Sequence, residues 1–118
     1  MRSTKDVFES HILLVVDWNF DVDIEKNYSR DCVLISSYGT FYGKEGIKKA
    51  VALRESQIPE ASFLYTTKSW YGEVAFLEWQ ADSDKTYVDD GADTFIIKNG
   101  KIVIQTRHYT VIHRDVCD

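Results

Sequence analysis

Gly91-Ala92-Asp93-Thr94-Phe95-Ile96-Ile97-Lys98-Asn99-Gly100-Lys101-Ile102-Val103-Ile104 reads as two β-strands joined by a two-residue turn. Asn99 and Gly100 both tolerate the positive φ that a type I′ turn demands, so Asn-Gly between apolar runs is a strong hairpin signal. The turn sets the register, and the register decides which side chains share a face. Asp93, Phe95 and Ile97 fall on one face, Thr94 and Ile96 on the other. A carboxylate inside an otherwise apolar strand has to be exposed, paired or functional.

Outward from the hairpin, period-two alternation predicts four long strands: Ser62 to Trp70, Glu73 to Asp82, Lys85 to Lys98 and Lys101 to His113. Tyr71-Gly72 and Ser83-Asp84 supply the other turns, which makes the second half an antiparallel meander. The first half has helical spacing instead. Phe8, Ile12 and Val15 form the stripe of a first helix, with Thr4 as the expected N-cap and Asn19 as its expected end. Asp21 to Ser29 predicts a short second helix, with Ile24 and Tyr28 on its inner face. Cys32 to Ser36 reads as a short buried strand and Tyr38 to Gly43 as a glycine-marked loop. Lys44 to Gln57 predicts a third helix, which Pro59 stops. Helices first and strands afterwards argue for an α+β domain, a curved sheet with helices packed into its concave face and a cavity between them.

The chain has 118 residues, enough for one domain with a real core, so residues 1–118 are read as a single unit. Apolar residues make up 44% and aromatic ones 14%, which favours a globular fold and suggests a ring-walled cavity, a large interface or an aromatic core. The formal charge is -5, with no basic run beyond Lys48-Lys49, so a phosphate backbone is repelled and nucleic acid is not an expected partner. The apolar run Ile12 to Val16 is too short for a signal-peptide core or a membrane span, so a cytoplasmic protein is expected. Cys32 and Cys117 are then expected as reduced thiols. His11, His108 and His113 show no His/Cys ligand spacing, and no cofactor motif is visible, so neither metal nor cofactor is expected.

Asp93 is the first candidate for chemistry. In an apolar cavity its pKa would rise, making it a neutral donor or a general base near neutral pH. The competing reading pairs it with Arg107 or Lys101 on the neighbouring strand. On the last strand Gln105, Arg107 and Tyr109 share one face while Thr106, His108 and Thr110 share the other, and both faces mix polar with apolar groups. Arg107 and Tyr109 suit a ligand oxygen, and His108 suits a proton shuttle. Trp18, Tyr28, Trp70 and Trp79 are candidates to wall a ligand pocket. No nucleophile elbow, phosphate loop or Cys/His dyad is present.

Three segments carry a resemblance that covers the chain from about Lys5 to Ile112. They are Gly91 to Phe95 with the Lys98-to-Ile102 turn and Gln105-Thr106, the step Tyr28-Ser29-Arg30-Asp31-Cys32-Val33, and Tyr42-Gly43-Lys44-Glu45-Gly46-Ile47. In these the sequence resembles the nuclear transport factor 2-like superfamily and its SnoaL-like group. The resemblance implies a cystatin-like α+β barrel: a cone-shaped, curved antiparallel or mixed sheet around three helices, often dimeric through the sheet's outer face. Relatives include ketosteroid isomerases, limonene epoxide hydrolases, scytalone dehydratases and polyketide cyclases.

Set against the isomerases, Asp93 matches the aspartic acid donor and Tyr28 the supporting tyrosine. The base position falls on Ser36 and the tyrosine donor position on Ile12, neither of which can fill its role. Asp93 and Arg107 supply part of the hydrolase set, and His108 is the dehydratase-like candidate. Two functions follow as expectations. One is acid-base chemistry on a small, apolar, oxygen-bearing molecule: isomerisation, cyclisation, dehydration or hydrolysis. The other is a non-catalytic ligand-binding or protein-interaction domain. A homodimer is expected through outward apolar residues, either Leu77, Ile102 and Ile104 or their alternates.

Overall fold

A computed structural model describes residues 1–114; Cys117 lies outside the described residues. The chain runs α1 (Thr4–Val16), α2 (Phe20–Asn27), β1 (Tyr28–Ser36), β2 (Gly39–Tyr42) and α3 (Gly43–Gln57). It continues through β3 (Ser62–Tyr71), β4 (Val74–Asp82), β5 (Thr86–Lys98), β6 (Lys101–His108) and β7 (Ile112–His113). This is the expected α+β architecture of three helices against one curved sheet.

The sheet order is β2-β1-β6-β5-β4-β3, with β7 pairing β5. β3 to β6 form the predicted meander, and β1 joins it in parallel beside β6, which makes the sheet mixed. Register shifts interrupt the β1–β6, β3–β4, β4–β5 and β5–β6 pairings. Each extra residue bends its strand and adds twist, and together they curl the sheet around the helices. The Asn99-Gly100 turn forms as predicted, with φ of 52° and 73° and Lys98 facing Lys101 across it.

Several boundaries differ from expectation, each for a local reason. Ser3, not Thr4, caps α1: its Oγ accepts from the Asp6 amide while Asp6 accepts from the Ser3 amide. Thr4 instead donates its hydroxyl to the Gly72 carbonyl and ties α1 to the β3–β4 turn. The helix ends at Asp17 rather than Asn19, because Trp18 turns left-handed with φ 56°. Tyr28 begins β1 instead of closing α2. The predicted loop at Tyr38 to Gly43 holds β2, a strand of four residues that pairs with β1 through Ser36 and Gly39.

The predicted last strand breaks after His108. At the break Asp90, in the shifted part of β5, accepts from both the amide and the hydroxyl of Thr110. Those two bonds replace ladder bonds, so the chain steps away before β7 returns to Thr86 and Tyr87.

Val7, Phe8 and Ile12 of α1, Ile24 of α2 and Ile47 of α3 press onto the concave face. There they meet Leu34, Leu77, Phe95, Ile97 and Ile102. Leu77 and Ile102 are therefore core residues and not part of an outer patch; their alternates face outward. Val74, Phe76 and Ile104 are exposed there, flanked by Leu64, Tyr71 and Ile35. No helix among the described residues is long and apolar enough to cross a membrane.

Candidate functional site

Asp93 lies on β5 directly opposite Arg107 of β6, and Phe95 lies opposite Gln105. Directly paired residues share a face, so the inward parity of β5 selects Gln105 and Arg107 on β6 and turns Thr106 and His108 outward. Across β4, Gly91 faces Trp79. The indole lies flat over the bare Cα, where a Cβ would stand only 2.3 Å from the ring. That close approach brings the Trp79 Nε1–H to Asp93 Oδ1 at 2.9 Å.

Asp93 Oδ2 accepts from Gln105 Nε2 at 2.7 Å and from Arg107 Nε at 2.9 Å. Tyr28 donates its hydroxyl to Gln105 Oε1, which fixes the orientation of the amide. Asp93 is only 2% exposed, and Tyr28, Trp79, Gln105 and Arg107 are buried with it.

These contacts decide the charge of Asp93. Burial is the largest effect and pushes its pKa up, but Arg107, Arg54 and the Trp79 and Arg107 hydrogen bonds outweigh it. The carboxyl group is held below the usual aspartate range. This differs from the raised pKa expected for an apolar cavity, because the groups around Asp93 are donors and guanidinium groups. Tyr28 is pushed well above the normal phenol range, chiefly by burial and then by Asp23. It stays a neutral donor.

Arg54 enters the same region from α3 and is 5% exposed. Its guanidinium lies over Phe63 at 4.7 Å and Trp79 at 5.1 Å. Such contacts contribute about 0.5–2 kcal/mol each, whereas burying a charge costs several. Burial, followed by Arg107, brings its pKa down to about 10. In the sequence Arg54 looked like one member of the α3 stripe. A charged residue at a core position, one turn after Ala50, was the signal that could have marked it.

A second buried cluster connects α1 and α2. Asp23 Oδ2 lies 2.7 Å from His11 Nδ1, and Asp23 Oδ1 accepts from Asn27 at 2.8 Å. The His11 ring packs edge-on against Phe95 at 5.0 Å. A carboxylate can only accept, so the Nδ1–H donates to Asp23 and Nε2 carries the lone pair of the neutral ring. Sequence reasoning did not select His11; its place beside Ile12 and three residues from Phe8 on the apolar stripe was the available cue.

Among the residues singled out from sequence, the fold gathers Asp93, Tyr28, Trp79 and Arg107. Tyr109 borders the group: its ring packs on Trp79 at 5.6 Å and on Tyr38 at 5.3 Å, and its hydroxyl donates to Gln57. The others lie apart. His108 is on the outer face, 3.4 Å from Asp90 and exposed. Trp18 is half exposed and donates its indole N–H to the Ala61 carbonyl. Trp70 packs on Phe8 and lines a cleft of about 490 Å³ between α1 and β3, shared with Glu9, Ile12, Leu13 and Lys68. A larger cleft of about 860 Å³ opens at the end of α3, where Gln57, Thr86, Thr110 and Tyr38 line it.

No protein-family profile matches the sequence, and no curated protein matches it. Solved structures do match its shape. One is a protein from Mesorhizobium loti described as a candidate SnoaL-like polyketide cyclase. It is 15% identical with a TM-score of 0.74, covering 92% of this chain and all of that one. An NTF-2 like protein of unknown function from Burkholderia xenovorans is 15% identical with a TM-score of 0.75, covering 91% of this chain and 82% of that one. A de novo designed protein with a curved β-sheet reaches 0.71 at 16% identity, covering 91% of this chain and 84% of that one. The chain has the nuclear transport factor 2-like fold. A designed protein with the same shape is a reminder that the fold alone carries no activity.

Proposed function

We propose that this chain is a SnoaL-like small-molecule-binding protein in which Asp93 acts as a fixed anion and not as an acid or base. The observation that carries this reading is the set of partners of Asp93: three donors engage its two oxygens, two on Oδ2 and one on Oδ1, and two guanidinium groups lower its pKa. Such a carboxylate orients Arg107 and Gln105 and neutralises part of the buried positive charge. With its pKa held below the ordinary aspartate value, it has no proton to donate at neutral pH. Its ligand would be an apolar, oxygen-bearing molecule lying against Trp79 and its neighbouring rings. The same outer-face side chains that are exposed in the monomer, Val74, Phe76 and Ile104 among them, support a homodimer through the sheet.

Carbon-detected NMR titration of the Asp93 carboxyl tests the central claim. The expected midpoint lies below the ordinary aspartate value of about 3.9; one near neutrality would return Asp93 to the role of acid or base. The sign for stability follows from a lowered folded-state pKa. The contribution of Asp93 is present above the unfolded value and is lost as pH falls through the folded one. Asp93→Asn should therefore cost about 3–5 kcal/mol at neutral pH and flatten the acid limb of the stability curve, as read by urea unfolding.

The His11–Asp23 contact favours a second reading, acid-base chemistry with His11 Nε2 as the base. In that case His11→Gln would abolish turnover of a ligand while leaving its binding intact.

A further inference from the structure

The Arg54 side chain makes no hydrogen bond and no ion pair with any described residue, although the residue is only 5% exposed. Arg107 commits Nε to Asp93, and its two terminal nitrogens have no partner among the described residues. Yet among the described residues no buried side-chain nitrogen or oxygen is both unpartnered and sealed from solvent. The three nitrogens of Arg54 and the two terminal nitrogens of Arg107 therefore border space that a water-sized group can enter. The charges are also unequal: two guanidinium groups act on one carboxylate, and both oxygens of that carboxylate are already engaged by Trp79, Gln105 and Arg107.

We propose that Arg54 and Arg107 form a binding site for the carboxylate of a small organic acid with a planar, apolar body. The proposal rests on the reading of this interior as a ligand site and names the chemistry it takes. A guanidinium fork matches the two oxygens of a carboxylate. The net charge of Asp93, Arg54 and Arg107 is +1, so one monoanion neutralises it, whereas a phosphate dianion would leave a buried charge uncompensated. Phe63, half-buried beside the Arg54 guanidinium, offers apolar surface to the body of the acid.

A chain of contacts marks the route inward. Gln57, almost one turn beyond Arg54 on α3, lines the 860 Å³ cleft and accepts the Tyr109 hydroxyl. The Tyr109 ring rests on Trp79, which lies beneath Arg54. Rotation of Tyr109 and Gln57 would join cleft and guanidinium. The depressed pKa of Arg54, about 10, keeps it charged at neutral pH and marks a cation short of a counter-ion.

The test is titration of the full chain with sodium benzoate at constant ionic strength, with benzyl alcohol and inorganic phosphate as comparators. Tryptophan fluorescence and the arginine Nε–H signals report binding. Benzoate is expected to saturate and to shift both arginine signals, with both comparators at least about tenfold weaker. Arg54→Met is expected to weaken benzoate by roughly tenfold to a hundredfold. Arg54→Lys, which keeps the charge without the fork, should weaken it by a smaller factor and serves if the methionine variant fails to fold. Unchanged benzoate affinity in either folded variant overturns the proposal, as does tighter binding of phosphate. If benzyl alcohol binds as well as benzoate, the anion site falls while the ligand-binding reading stands. If none of the three probes binds, both fall.

Discussion

At Gly91 the side chain is a hydrogen because the Trp79 indole occupies the place of a Cβ, 2.3 Å from where that carbon would stand. The indole can reach Asp93 only by lying on that bare backbone. Gly91→Ala should therefore push Trp79 out of its seat, break the indole-to-carboxylate bond and destabilise the fold by about 1–3 kcal/mol. Urea unfolding and the Trp79 emission maximum would register this; unchanged values of both would mean that the ring has another place to go. At this scale Asp93 was legible in the sequence, as was the possibility of its pairing with Arg107. The three donors were not. Trp79, Gln105 and Arg107 converge because β4 and β6 both flank β5, and no local pattern encodes that neighbourhood. Arg54 was hidden for a related reason: a helix stripe reports that a position faces inward, not what it meets there.

At the scale of elements, the Asn99-Gly100 hairpin is the most local decision in the molecule. Both turn residues take positive φ, and Gly100 does so with its Cα beside Met1 and Arg2. Gly100→Ala is expected to cost about 1–2 kcal/mol, since an L side chain is strained at φ 73° and its Cβ would meet Met1 Cγ at 3.4 Å. Thermal unfolding followed by far-UV circular dichroism checks it. The elements that sequence reasoning placed well, α3 and the four meander strands, have long periodic patterns. Those it missed are short or held by distant groups. β2 has only four residues and exists through its ladder to β1. The break between β6 and β7 depends on the Asp90 carboxylate reaching Thr110. Thr4 was the expected cap of α1, and Ser3 fills that place. The choice between them followed from the Gly72 carbonyl, which claims the Thr4 hydroxyl.

Across the whole molecule, the outer sheet face presents Val74 and Ile104, both in register with Ile96 of β5, and Phe76 to solvent, with Tyr71 beside Val74. A patch of this kind on a monomer normally finds a partner. The wild-type chain is expected to sediment as a dimer at micromolar concentration, and Ile104→Glu to shift it to monomer without loss of helical signal. A monomeric wild type would remove the dimer from the proposed function.

The sequence by itself determined the fold class, the hairpin register and the face that Asp93 shares with Phe95 and Ile97, because these rest on backbone sterics and on periods of two and 3.6 residues. Only the tertiary structure decided that Asp93 is ionised, that His108 faces away from it, and that Arg54 stands beside it. Those outcomes depend on which groups from distant segments share one low-dielectric space. There, burial, opposite charge and hydrogen bonds compete at comparable strength, and only their positions settle the sign.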